Sequence, residues 1–266
     1  MRPSTKPALT TLGKAFALLG LAAALSAIPA PAEAKITKAG TGVLILPNAN
    51  YSHDEYVAVR AALEAAGLEI RVAAGTLAPC VPWGGSLDDA VQPDMTIAAV
   101  DPSSYVGVVF IGGWGSSAYQ YAFDGTYLDP IYSRDRLVTD SVNRLIGAFL
   151  AQGKPVGAVG HAVTVLAWAR VDGVSPLRKK TVSAWAGGGP AFSLGGRVYS
   201  DATISTRWHV EKNGGAMPLS SAIGNPTTDA DDVWVDGKII TAENVNAIDA
   251  FAKTYAGGVR VAVGDL

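Results

Sequence analysis

Few side chains in this chain are an imidazole base or a thiol nucleophile: His53, His161 and His209, and one cysteine, Cys80. His161 stands at the most informative place, in the run from Lys154 to Ala169. Val156 to Val159 has the pattern of a short buried strand, whereas Val163, Leu166 and Ala167 fall on one face of a helix, so the period changes at Gly160-His161. A strand that turns abruptly into a helix holds its turning residue in an unusual conformation and aims that side chain, with the first free helix N–H groups, at one open spot. Such a turn suits a nucleophile, yet the turning residue is Gly160. Either Gly-His is only a turn, filled by the residue that tolerates unusual φ/ψ best, or it is a reactive site without its reactive atom.

A second stretch bears on the same chemistry. Val108 to Ile111 reads as a buried strand, and Gly112-Gly113 follows at its C-terminal end, where ligands settle in open parallel sheets and where bare backbone N–H groups can approach an anion. Lys-Pro-Val-Gly-Ala-Val-Gly-His-Ala (154–162), the strand-end Gly112-Gly113 and the late Val-Asp-Gly-Lys-Ile-Ile-Thr (235–241) together resemble the DJ-1/PfpI family of the class I glutamine amidotransferase-like superfamily. The resemblance runs from about Thr41 to Ala256. It implies that Gly160 occupies the position of the family's nucleophilic Cys, that His161 is the retained elbow His, that Gly113 supplies an oxyanion N–H, and that the partner acid corresponds to Ser52. Where some relatives place a third acidic residue, this chain has Gly187-Gly188-Gly189. The resemblance also implies a homodimer and no cofactor.

Two functions follow. In one the protein is catalytically degenerate and binds a small anionic ligand at Gly112, Gly113 and His53. In the other it is a hydrolase, glyoxalase-like or amidase-like enzyme whose nucleophile is a bound water, Ser116 or Cys80. Covalent catalysis at the elbow needs a side chain that Gly160 lacks, which favours the first. His53, His161 and Asp54 have a spacing unlike zinc signatures, so no metal site is assigned.

Composition sets the frame. Arg2, Lys6 and Lys14 precede an apolar run from Ala15 to Ile28, and Ala32-Glu33-Ala34 has the form of a cleavage site, so residues 1–34 read as a signal peptide and 35–266 as one secreted or periplasmic domain. The apolar run is shorter than the ~20 residues of a membrane span and meets Pro29 and Pro31. The formal net charge of −2 carries no basic cluster beyond Arg178-Lys179-Lys180, which argues against nucleic acid. A lone cysteine excludes an intrachain disulfide.

The elements that must position the site are expected to form a flavodoxin-like three-layer sandwich: a mainly parallel sheet with helices on both faces. Strands are expected at Val43–Leu46, Leu68–Ala73, Val108–Ile111, Val156–Val159 and Thr181–Ser183, with shorter or weaker ones at Met95–Val100 and Arg197–Arg207 and a hairpin about Asp236-Gly237. Ser52 and Glu55 have capping-box spacing before the helical stripe Tyr56, Val59, Leu63. Val138 to Leu150 is a second helix, and Asn244 caps a last one. The aromatic stretch from Tyr119 to Tyr132 either walls a pocket or covers the local core.

Overall fold

Apolar runs four to seven residues long can be buried only where both faces of a strand are covered, and that is what they become. The computed structural model describes residues 40–200, 206–218 and 232–263. The expected signal peptide lies outside them. The elements that build the domain are β1 (Gly40–Leu46), α1 (His53–Ala65), β2 (Leu68–Ala74), β3 (Met95–Thr96), β4 (Gly107–Phe110), α2 (Arg136–Ala151), β5 (Val156–Val159), α3 (Val163–Trp168), α4 (Thr206–Lys212), β6 (Val233–Asp236), β7 (Ile239–Ala242) and α5 (Ile248–Val263).

The central sheet runs β6-β7-β5-β4-β1-β2-β3. Neighbours pair in parallel except β6, which forms an antiparallel hairpin with β7 about Asp236-Gly237. Alternation along β1 divides the core in two. Val43 and Ile45 pack on the side of α2 and α3 with Phe149 and Leu166, whereas Leu44 and Leu46 pack on the side of α1 and α5 with Val59 and Phe251. Each such side chain, withdrawn from water, contributes roughly 1.5–3 kcal/mol. This is the flavodoxin-like sandwich expected, and among the described residues no helix is long and apolar enough to cross a membrane.

Several local expectations are corrected. Thr181–Ser183 is not a strand: Thr181 makes a single bridge to Ala216, and the Ser183 N–H donates to Thr241 Oγ1 at 2.9 Å. Among the described residues of the segment 197–207, Arg197–Tyr199 is extended and Thr206 and Arg207 are helical; Arg197–Tyr199 pairs with Phe192–Leu194, which in turn pairs with Thr126–Tyr127, in a small separate sheet, while Trp208 and His209 lie in α4. Met95–Val100 yields the two-residue β3 and then a 3-10 turn. The Ser52 side chain makes no capping hydrogen bond, and Glu55 is buried instead of reaching back to the cap.

Candidate functional site

The chain places β2 and β3 on one side of β1, then returns to lay β4 on the other side. This reversal opens a crevice beyond the C-terminal ends of β1 and β4, with β5 next in line. Ile45 pairs with Phe110 and Phe110 with Ala158, so the loops that follow the three strands leave the sheet side by side. They meet closely: the Ser52 N–H donates to the Gly112 carbonyl at 2.9 Å. A Cβ on Gly113, whose φ is +96°, would collide with the Asn50 carbonyl. Glycine at 113 is thus required by the crossing of two backbones.

Glu55, one turn into α1, points into this junction. Its Oε2 accepts the Gly112 N–H at 3.0 Å, and its side chain is buried. Burial pushes the carboxyl up to about 8, against the smaller opposing effect of the Gly112 hydrogen bond, so at neutral pH it is largely protonated. On its other side stands Gly160. That residue has φ +57°, the left-handed conformation expected at a strand-to-helix elbow, and a Cβ built there would lie 2.6 Å from Glu55 Oε1. The Glu55 carboxyl therefore occupies the space that a side chain at 160 would enter.

His161 turns the opposite way. Its Nε2 lies 3.0 Å from Ser117 Oγ and its Nδ1 3.1 Å from Thr206 Oγ1, both buried hydroxyls. Desolvation lowers its pKa to about 3, so the ring is neutral and held at both nitrogens. His209, missed by sequence reasoning as a neighbour, lies with its ring centroid 6.1 Å away; its Nδ1 accepts from Trp168 Nε1 at 3.0 Å, and burial lowers it to about 3 as well. The elbow leads into a 3-10 turn and then α3, only six residues long, so little helix dipole is available at its start.

A cavity of about 400 Å³ opens over this junction, lined by Ser52, His53, Asp54, Glu55, Trp83, Gly113, Trp114, His161 and Trp185. Ser52, His53, Gly113 and His161 are thereby brought together, Ser52 making its hydrogen bond to the neighbouring loop through the backbone; Gly112 and Gly160 sit behind the Glu55 carboxyl. Ser116 is buried and donates to the Gly113 carbonyl at 2.7 Å. Cys80 is fully buried beyond the Asn48 side chain, and burial pushes its thiol up to about 12. Among the described residues no group of three His, Cys, Asp or Glu side chains could hold a metal. Most of the aromatic stretch covers the core: Tyr119, Phe123, Tyr127 and Tyr132 are buried, with Phe123 at 4.8 Å from Phe192. Trp83, Trp114 and Trp185 were not anticipated as cavity walls; they come from three separate loops, and only the Trp83-Gly-Gly and Gly-Trp114-Gly contexts hinted at exposed positions.

A strand-order reversal with a glycine-lined crevice at an elbow defines the class: this is the flavodoxin-like fold of ThiJ/PfpI proteins. In particular, the chain superimposes on a ThiJ/PfpI domain protein from Brachyspira murdochii with a TM-score of 0.58 and 18% identity, over 85% of this chain and 97% of that one. It superimposes on glyoxalase III from Candida albicans with a TM-score of 0.57 and 13% identity, over 83% and 98%. An uncharacterized protein of Methanocaldococcus jannaschii is 25% identical over 159 residues, 60% of this chain and 67% of that protein. No family model matches the chain. At these identities the likeness to the solved structures is one of fold, and function has to be argued from the site.

Proposed function

We propose that this is an exported DJ-1/PfpI-like protein, catalytically degenerate at its elbow, that binds a small ligand without covalent chemistry. The observation that carries this reading is the Glu55 carboxyl in the space beside Gly160. A family member needs a thiolate there, stabilised by its surroundings. Here glycine supplies no sulfur, and a largely protonated acid that accepts the Gly112 N–H fills the position instead. Gly160 then stands at the nucleophile position, and Glu55, not Ser52, is the carboxyl beside it. Neither substitute nucleophile supports turnover: the Cys80 thiol is buried and hard to ionise, and the Ser116 hydroxyl is bonded to Gly113.

The test is turnover of 2-oxoaldehydes, amides and activated esters by the mature chain, before and after iodoacetamide treatment, together with thermal-shift screening of small ligands. No turnover, with ligand-dependent stabilisation that survives alkylation, is expected. Alkylation-sensitive turnover would overturn the reading. Fractionation of cells expressing the full chain, with the mature N-terminus sequenced, tests export and cleavage after Ala34.

One observation favours a second reading. A carboxyl that titrates near neutrality is suited to general acid–base work, so Glu55 could activate a bound water in a hydrolase or glyoxalase-like enzyme. Alkylation-insensitive turnover that falls by 10²-fold or more in Glu55→Gln would establish it, that loss being about the size of one general acid–base contribution.

A further inference from the structure

The ligand class of the cavity can be taken further, resting on the reading that it is a binding site. We propose that it takes a small organic cation of the quaternary or methylated ammonium type, held against indole walls with the Asp54 carboxylate at the mouth. Three of the nine lining residues are tryptophans, two are carboxylic acids, and none is lysine or arginine. Trp114 and Trp185 meet with ring centroids 6.4 Å apart at an interplanar angle of 70°, so they form a corner instead of a stacked pair. A ring quadrupole attracts a cation placed over its face, by about 0.5–1 kcal/mol at exposed sites and about 2 kcal/mol or more where water is excluded, and Trp is the best of the aromatic residues for this. A weakly hydrated alkylammonium gives up little solvation on entering, and a corner of indoles offers it more than one wall.

Two of the groups that would have welcomed an anion are engaged elsewhere. The Gly112 N–H is bonded to Glu55 Oε2, and both nitrogens of His161 are bonded to hydroxyls inside the core. Burial keeps His161 uncharged. Asp54 is exposed at the mouth of the cavity, close enough to Glu55 to contribute to its raised pKa. The molecule does place guanidinium groups in cavities, but in different ones: Arg134 and Arg136 line a volume of about 360 Å³ beside Tyr121, and Arg170 and Arg178 line another of about 310 Å³. The elbow cavity instead combines three tryptophans with the Asp54 carboxylate and has no lysine or arginine in its lining.

The experiment titrates the full mature chain with choline, with its neutral isostere 3,3-dimethylbutan-1-ol and with acetate, read by tryptophan fluorescence and calorimetry. Choline is expected to bind about tenfold or more tighter than the isostere, the difference that the cation–ring and carboxylate attraction supplies. Trp185→Ala and Asp54→Asn both alter exposed residues, so folding is retained. Trp185→Ala should weaken both choline and isostere. Asp54→Asn should weaken choline severalfold and leave the isostere unchanged. Equal affinity for choline and isostere, choline affinity unmoved by Asp54→Asn, binding of acetate in preference to choline, or no choline binding at all would each overturn the cation assignment. Acetate or isostere binding that is lost in Trp185→Ala would still leave the cavity a binding site. Turnover of the aldehydes, amides or esters above would overturn the non-catalytic reading without touching the order of these affinities.

Discussion

At the scale of single residues, the site turns on what Gly160 permits. Its left-handed φ strains any other residue, and its missing Cβ leaves room for Glu55. Gly153 provides the control, since it has φ +66° and nothing within 4 Å of a built Cβ. Gly153→Ala should cost about 1–2 kcal/mol for conformation alone. Gly160→Ala should cost more, about 2–4 kcal/mol, because the methyl must also move a buried carboxyl off the Gly112 N–H. Urea unfolding of both variants gives the comparison, and the Glu55→Ala/Gly160→Ala double mutant should recover part of the excess. Cys80 gives a second outcome: with the thiol pushed up to about 12 by burial, native protein should react with iodoacetamide orders of magnitude more slowly than urea-unfolded protein. Equal rates in mass-spectrometric time courses would show that the segment opens freely. Glu55 itself could not be read from sequence. Ser52-x-x-Glu55 is the spacing of an exposed cap, and what buries the carboxyl is Gly112, 57 residues away.

At the scale of elements, Tyr119 ties the site to the sheet. Its hydroxyl donates to the Leu46 carbonyl at the end of β1 and accepts from the Gly75 N–H just after β2, both at 2.8 Å. The chain leaving β4 is thus fastened to the end of β1, its neighbour in the sheet, and to that of β2, the strand beyond. Tyr119→Phe leaves those two backbone groups without a partner and should destabilise by about 1–3 kcal/mol. Hydrogen exchange at Gly75 should quicken in the variant, while that of Phe149 in α2 stays at the global rate; uniform quickening would mean that Tyr119 serves only general stability. The strands that Tyr119 joins were legible because burial on both faces demands continuous apolar residues, as in Val43–Leu46 and Val108–Ile111. The periphery was not. Thr181-Val-Ser183 has β-branched residues that suit a strand, but the strand it touches, β7, has no free edge, being paired by β6 on one side and β5 on the other. The small sheet of Thr126–Tyr127, Phe192–Leu194 and Arg197–Tyr199 joins segments more than sixty residues apart, each too short to show a period.

At the scale of the whole molecule, three buried groups among the described residues, Glu55, His161 and His209, act on the pH response with opposite signs. Glu55 has a folded pKa of about 8 against an ordinary 4.5, so between those values the folded state holds a proton that the unfolded state has released, and stability falls as pH rises. His161 and His209 are lowered to about 3 from 6.5, so through that window the unfolded state binds the extra protons and stability rises with pH. Where the windows overlap, two histidines outweigh one carboxyl; above 6.5, of these three, Glu55 alone still acts. Stability should therefore climb from pH 3 to a maximum near 6.5 and decline towards 8. Glu55→Gln should flatten the alkaline limb and leave the acid limb intact, as urea midpoints measured from pH 3.5 to 8.5 would reveal. An alkaline limb that persists in Glu55→Gln would assign it to another group.

The closed contact between Glu55, Gly112 and the space beside Gly160 also bears on descent. A single codon change could place a thiol at 160, but the newcomer would meet a carboxyl already seated, and displacing that carboxyl would strand a buried N–H on the neighbouring loop. That step is thus penalised before any gain in chemistry can be selected, while substitutions in the cavity walls meet no such barrier. Lineages that inherit this arrangement should diversify by changing their tryptophans and rim acids, with glycine at 160 behaving as a ratchet.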